Sequence, residues 1–270
     1  MKRKYIYPLL LFIVISALYF AEKYIDRQNE VYPDPIVNSS DSTDFDNRFL
    51  PNSTTGKIVR HAYFSLSYSE KHEQAEWIAY ELSKDHLAKT DFERPYFVQD
   101  RKIRTESADW RNYKNSGYDR GHLCPAGDRR FNYEAYHETF LTSNISPQDH
   151  EFNAGIWNRL EQKVRYWAGR KDGVFVVTGG VLKDGLKSIG DEEVSVPEEF
   201  YKIIVDRSGE EYKAIAFLIP NKGSNQSFYD FTVTIDEIEA KTGIDFFRDL
   251  DDNLEDKMEA QLNLKEWGKK

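Results

Sequence analysis

Cysteine is nearly absent: Cys124 stands alone in 270 residues. An intramolecular disulfide is therefore excluded, and so is a cysteine-rich zinc site, because there is no second thiol to share the metal. Cys124 lies two residues from His122, but residues i and i+2 of a strand share a face anyway, so the proximity alone makes no nucleophile. A lone thiol of this kind reads as a small buried hydrophobe. An excess of positive charge is also missing. The formal net charge is −9 and the pI about 5.3, which on bulk charge argues against a nucleic-acid partner. No internal repeat is present, which removes repeat architectures.

The charge is spread unevenly. Residues 94–130 hold nine Lys/Arg against five Asp/Glu, whereas residues 234–270 hold eleven acids against six bases. A local anion-attracting surface on an acidic body follows from that distribution. With 40% hydrophobic and 14% aromatic residues, the chain has ample material for one sizeable core.

The N-terminus stands apart from that core. Lys2-Arg3-Lys4 precedes an apolar run from Tyr5 to Ala21. Seventeen residues as a helix reach ~25 Å, near the lower limit for crossing a bilayer. A cleaved signal segment is the rival reading, but bulky Tyr19 two residues before Ala21 makes a poor cleavage site. Residues 1–25 thus read as an N-terminal membrane anchor or signal segment, with the rest of the chain exported, and secreted if the segment is cleaved. Residues 26–56, with Pro33, Pro35 and Pro51 among Asn, Ser and Asp, read as a flexible linker. The folded domain is then 57–270.

Within it, alternation from Val59 to Tyr68 signals a strand, while Trp77–Leu82 fits either a strand or a short helix. Residues 94–110 read as irregular. Val174-Phe175-Val176-Val177-Thr178 before Gly179-Gly180 predicts a buried central strand, with further strands over 199–206 and 212–220 and a turn at Ser208-Gly209. Thr234 caps a helix with Glu237 three residues on. A stripe of Ile156, Leu160 and Val164 predicts a helix over 154–169. Central strands with few, segregated helices indicate an α+β fold.

The chemistry concentrates between Gly117 and Glu161. Gly117-Tyr118-Asp119-Arg120-Gly121-His122 sets a cation, a glycine and an imidazole side by side. Asn144-Ile145-Ser146-Pro147-Gln148 follows, then Asn153 and Trp157-Asn158-Arg159-Leu160-Glu161. Phosphodiester hydrolysis needs such a set: a base to activate water, a cation for the phosphate and a metal on the leaving group.

In order and spacing these three blocks closely resemble the DNA/RNA non-specific endonucleases of the ββα-metal (His-Me finger) superfamily, over roughly residues 57–250. The resemblance implies a central, mainly antiparallel sheet with flanking helices. It also implies cleavage of DNA and/or RNA without sequence preference, leaving 5′-phosphate ends. In that reading His122 is the general base and Arg120 stabilises the phosphate charge. Asn153 holds Mg²⁺, for which Mn²⁺ can substitute; a single amide oxygen suits a hard ion that keeps several waters. The bland alternative makes Asn153 a helix N-cap.

Glu161, eight residues on, lies ~12 Å further along a straight helix and so falls in the outer shell, holding metal-bound water or orienting Arg120 or His122; otherwise it makes an exposed pair with Arg165 at i+4. Arg94 resembles the family's upstream phosphate-binding arginine. Asp119 reads as a structural partner, and Asn144 as a loop-fixing residue or a hydrogen-bonder near the metal. His61, His72, His86, His137 and His150 lack this context and read as satisfied or surface residues. Two further functions stay open: an inactive nuclease fold serving as a membrane-bound interaction protein, and a phosphodiesterase for small nucleotides.

Overall fold

A computed structural model describes Tyr7 and residues 12–20, 47–206, 212–260 and 264–268, and the chain divides into two units, residues 1–36 and 37–270. In the first, residues 12–20 are helical. No helix among the described residues is long and apolar enough to cross a membrane, which removes the structural support for the expected anchor. The remainder of that segment, linker residues 26–46 and the turn at Ser208-Gly209 lie outside the described residues.

The second unit is built on a seven-stranded sheet in the order β1 (Ile58–Arg60), β2 (Ser65–Ser69), β3 (Gln74–Leu82), β6 (Val174–Gly180), β9 (Glu199–Asp206), β10 (Lys213–Pro220) and β11 (Thr232–Val233). Every pairing in it is antiparallel, and outside it lie a short helix α1 (Tyr133–Glu138) and a small antiparallel ladder of β7 (Ser188–Ile189) with β8 (Val194–Ser195). The α+β expectation therefore holds. The strand expected over 59–68 is two strands, because the chain reverses between Arg60 and Ser65 to pair Ile58 with Ser67. Trp77–Leu82 resolves as strand, buried on both faces in the sheet centre.

Alternation along the central strands feeds two cores. Ile78 and Tyr80 of β3, Val176 of β6, Ile204 of β9 and Phe217 of β10 face one way. They pack with Ile156, Trp157, Leu160, Val164 and Trp167 of the segment ending in α2 (Asn158–Arg170). Trp77, Phe175, Ile203 and Leu218 face the other way, against Ile235 and Ile238 of α3 (Ile235–Thr242), Phe246, Phe247 and Met258 of α4 (Asp252–Glu259). Thr234 Oγ1 accepts from the Glu237 N–H at 3.2 Å, the expected cap. Gly243 ends α3 at φ 70°, a left-handed value that glycine adopts without a Cβ clash.

The linker boundary at residue 56 needs correction. Phe49 is fully buried with its ring 5.4 Å from that of Phe175, and Leu50 is buried beside it. Trp77 Nε1 donates to the Asn52 carbonyl at 2.7 Å, and the Asp245 N–H donates to Asn52 Oδ1 at 3.1 Å. The packed body thus includes residues 47–56, whose polar composition masks two apolar anchors.

Candidate active site

A separate two-stranded ladder positions the site. β4 (Asp119–His122) pairs antiparallel with β5 (Ile145–Gln148), Arg120 opposite Pro147 and His122 opposite Ile145. A Cβ at Gly121 would overlap the buried Gln148 side chain, so glycine lets the two strands close while Arg120 and His122 share the other face. β5 runs into Asp149, whose Oδ1 accepts from the Phe152 N–H at 3.0 Å. Asp149 is therefore the helix cap, not Asn153, which lies further in. The turn Phe152–Trp157 is wound wide, and Gly155 leaves helical geometry at ψ −108°. The straight-helix spacing from Asn153 to Glu161 does not apply across that break.

His122 is packed between the rings of Phe97 (5.6 Å) and Phe140 (5.1 Å, edge-on). Its Nε2 is buried without a hydrogen-bond partner among the described residues. Burial, then the charges of Arg94 and Arg120, push its pKa down to about 3, so the ring is neutral at pH 7. An ordinary pKa near ~6.5 was expected from the residue type alone. The chain leaving His122 is clamped by Asn144. Its Oδ1 accepts from the Cys124 N–H at 2.8 Å, and its Nδ2 donates to the Cys124 and Thr139 carbonyls at 2.9 Å. Asn144 thus fixes the loop and has no donor left for a metal-site ligand. Burial pushes the Cys124 thiol up to about 12, in line with an inert hydrophobe.

Arg120 lies over the Phe97 ring at 4.8 Å and the Trp110 ring at 5.6 Å; Arg94 lies over Phe97 at 5.8 Å and Phe140 at 5.6 Å. The shared aromatic shelf brings the two guanidinium groups together, and burial and Arg94 both lower the Arg120 pKa. They line a cleft of about 570 Å³ with Trp110, Lys114, Tyr118, Asp119 and Asn153. Asn153 Nδ2 donates to Asp119 Oδ2 at 2.9 Å, and His150 Nδ1 lies 3.0 Å from the same oxygen. That hydrogen bond and charge raise the His150 pKa. Held this way, Asn153 directs its amide nitrogen to Asp119. Asn153 Oδ1 and the Asp119 carboxylate are hard oxygen donors in a cleft that Arg94, Lys114 and Arg120 also line, and they are the groups that could hold a divalent ion there.

Glu161, on α2, belongs to a cluster of charged groups between the helix and the sheet. Burial pushes it above the usual carboxylate range against the pull of Lys202 and Arg165. Arg165 bonds Asp128 at 2.6 Å, and the Tyr80 hydroxyl donates to Asp128 at 3.0 Å. Lys202 is fully buried on β9, its Nζ 4.7 Å from the Trp157 ring and without a hydrogen-bond partner among the described residues. The charges acting on Glu161 are thus Lys202, Asp128 and Arg165. Lys202, Asp128 and Trp110 were not anticipated. A lysine inside Phe200-Tyr201-Lys202-Ile203-Ile204-Val205 was the available signal for one of them.

A family described as DNA/RNA non-specific endonuclease matches residues 41–253. Human mitochondrial nuclease EXOG is 35% identical over 216 residues, 73% of this chain and 59% of the relative. The zebrafish (Danio rerio) EXOG is 36% identical over 199 residues, 67% and 58% of the two chains. A nuclease of the cyanobacterium Nostoc is 30% identical over 223 residues, 76% and 78%. The crystal structure of the EndoG/EndoGI complex aligns at a TM-score of 0.67 and 31% identity, over 72% of this chain and 86% of that one. The chain spans about three-fifths of the length of the EXOG relatives. These relatives bear mitochondrial names, and no described helix can cross a membrane. The expectation of an exported, membrane-anchored protein is therefore withdrawn.

Proposed function

Because the chain belongs to the DNA/RNA non-specific endonuclease family, a family of hydrolytic, divalent-metal-dependent nucleases, we propose that it cleaves internal phosphodiester bonds of DNA or RNA with His122 as general base. One observation carries this reading: a buried, unpartnered imidazole nitrogen sits beside two arginines on a common aromatic shelf. The arginines bind the non-bridging oxygens of the scissile phosphate, for which a guanidinium fork is geometrically matched. Their positive charge is also what keeps His122 unprotonated in the free protein. An arriving phosphate offsets that charge, so the affinity of Nε2 for a proton rises as substrate binds. His122 then takes a proton from the attacking water.

Asn153, steadied by Asp119, would hold Mg²⁺, with Mn²⁺ as a substitute. A bound divalent cation neutralises charge on the phosphate and on the departing 3′ oxygen. Glu161 supports the site from the adjoining cluster. The cleft offers cations and stacking faces, which suit the phosphate backbone and any base face alike and so support weak sequence preference. Products carry 5′-phosphate and 3′-hydroxyl ends. Plasmid nicking with and without EDTA tests the proposal. His122→Ala should cost ~10²–10⁴ in rate, and a variant keeping more than about a tenth of wild-type rate would remove His122 from the role of base.

A further inference from the structure

The acidic C-terminal region takes no part in the cleft, yet residues 234–270 hold eleven acids against six bases. Asp236 and Glu239 stand one turn apart on α3, and Glu259 is the last residue of α4. Their carboxylate oxygens lie within 4.8 Å of one another. Asp236 is exposed and Glu239 half-buried, but Glu259 is 6% exposed. Its Oε1 is buried with no hydrogen-bond partner among the described residues. Burial, then the acids Glu239, Glu255, Asp236 and Asp245, push its pKa up to about 9. Its position at the C-terminus of a helix adds the negative end of the helix dipole. A carboxylate taken from water ordinarily gains a cation or a set of N–H donors. Glu259 Oε1 has neither among the described residues, whereas Glu239 accepts from the Phe246 N–H at 2.7 Å.

We propose that Asp236, Glu239 and Glu259 form a second divalent-cation site, of the Ca²⁺ class, that ties α3 to α4 on the sheet face opposite α2. Three oxygen ligands with no imidazole or thiol select a hard cation over zinc. Calcium binds oxygen at ~2.3–2.6 Å, so ligands of one shell sit up to ~5 Å apart, and the observed spacing fits without rearrangement. The ion supplies the missing positive charge and joins α3 and α4. Water completes the shell on the exposed Asp236 side.

Calorimetric titration of the full chain with CaCl₂ tests this in an Asn153→Ala background, which removes the candidate ligand in the cleft. One Ca²⁺ per chain should bind and raise the thermal midpoint by several degrees. Glu259→Gln should abolish both effects. Asp236→Asn, at an exposed position that folding does not depend on, should weaken Ca²⁺ binding at least about tenfold. MgCl₂ in place of CaCl₂ should bind more weakly. The proposal is overturned if the Asn153→Ala protein binds no Ca²⁺, or if Asp236→Asn leaves its affinity unchanged. It is equally overturned if Glu259→Gln raises the midpoint in EDTA while Ca²⁺ has no effect on the parent, since the carboxyl is then simply neutral.

Discussion

At the scale of single residues, the environment of His122 does more than its identity. The imidazole is neutral because burial and two arginines disfavour its charged form, and that preference has a stability signature. Its folded pKa lies below the unfolded value, so between about 6.5 and about 3 the unfolded chain binds the extra proton. Stability from this group is complete above the unfolded pKa and is lost as pH falls through that window. Urea unfolding at pH 6.5 and pH 5.0 should show His122→Asn losing less stability than the parent, by up to ~2 kcal/mol. Equal losses would mean that the ring is not desolvated. The identity of His122, Arg120 and Asn153 was legible in the sequence because their motif is local. The lowered pKa was not, since Phe97, Phe140 and Arg94 reach the ring from other parts of the chain.

At the scale of elements, the unit that matters is the pair β4–β5 and the helix after it. Gly121 is fixed by Gln148, so Gly121→Ala should destabilise by ~1–3 kcal/mol through overpacking and lower cleavage by shifting Arg120 and His122. Adding Gln148→Ala should recover part of both. A double-mutant cycle on unfolding and on rate measures the coupling, and additive effects would deny the contact.

The helix itself was legible from Ile156, Leu160 and Val164, all buried as expected. Its irregular first turn was not, because the apolar stripe continues through the wide turn at Gly155. Asn153 and Glu161 lie on opposite sides of that break and should fail differently. Asn153→Ala should raise the Mg²⁺ concentration for half-maximal rate. Glu161→Gln should lower the rate ~10–100-fold with a smaller shift in Mg²⁺ midpoint. Equal midpoint shifts in a Mg²⁺ titration of cleavage would place Glu161 against the ion.

For the molecule as a whole, the α+β class and the strands at 174–180, 199–206 and 213–220 could be read from runs of β-branched and aromatic residues. The start of the body could not. Phe49 and Leu50 are two apolar residues in a polar stretch, and only the sheet face they cover gives them meaning. A fragment beginning at residue 57 should therefore be less stable than one beginning at residue 47 by at least ~3–5 kcal/mol, the usual loss for deleting a buried phenylalanine. Urea midpoints of the two fragments decide this, and matching midpoints would return residues 47–56 to the linker.

The same sheet ends in very short strands. β1 contributes three residues and β11 two, while β3, β6, β9 and β10 have seven to nine. A foreign strand approaching β1 or β11 finds few open backbone groups on either to dock on. Of the long apolar strands most able to seed cross-β association, β3, β6 and β9 lie in the interior, paired on both sides. Short borders therefore guard against aggregation by strand addition, and lengthening β11 into a regular strand would remove that guard while leaving every cleft residue in place.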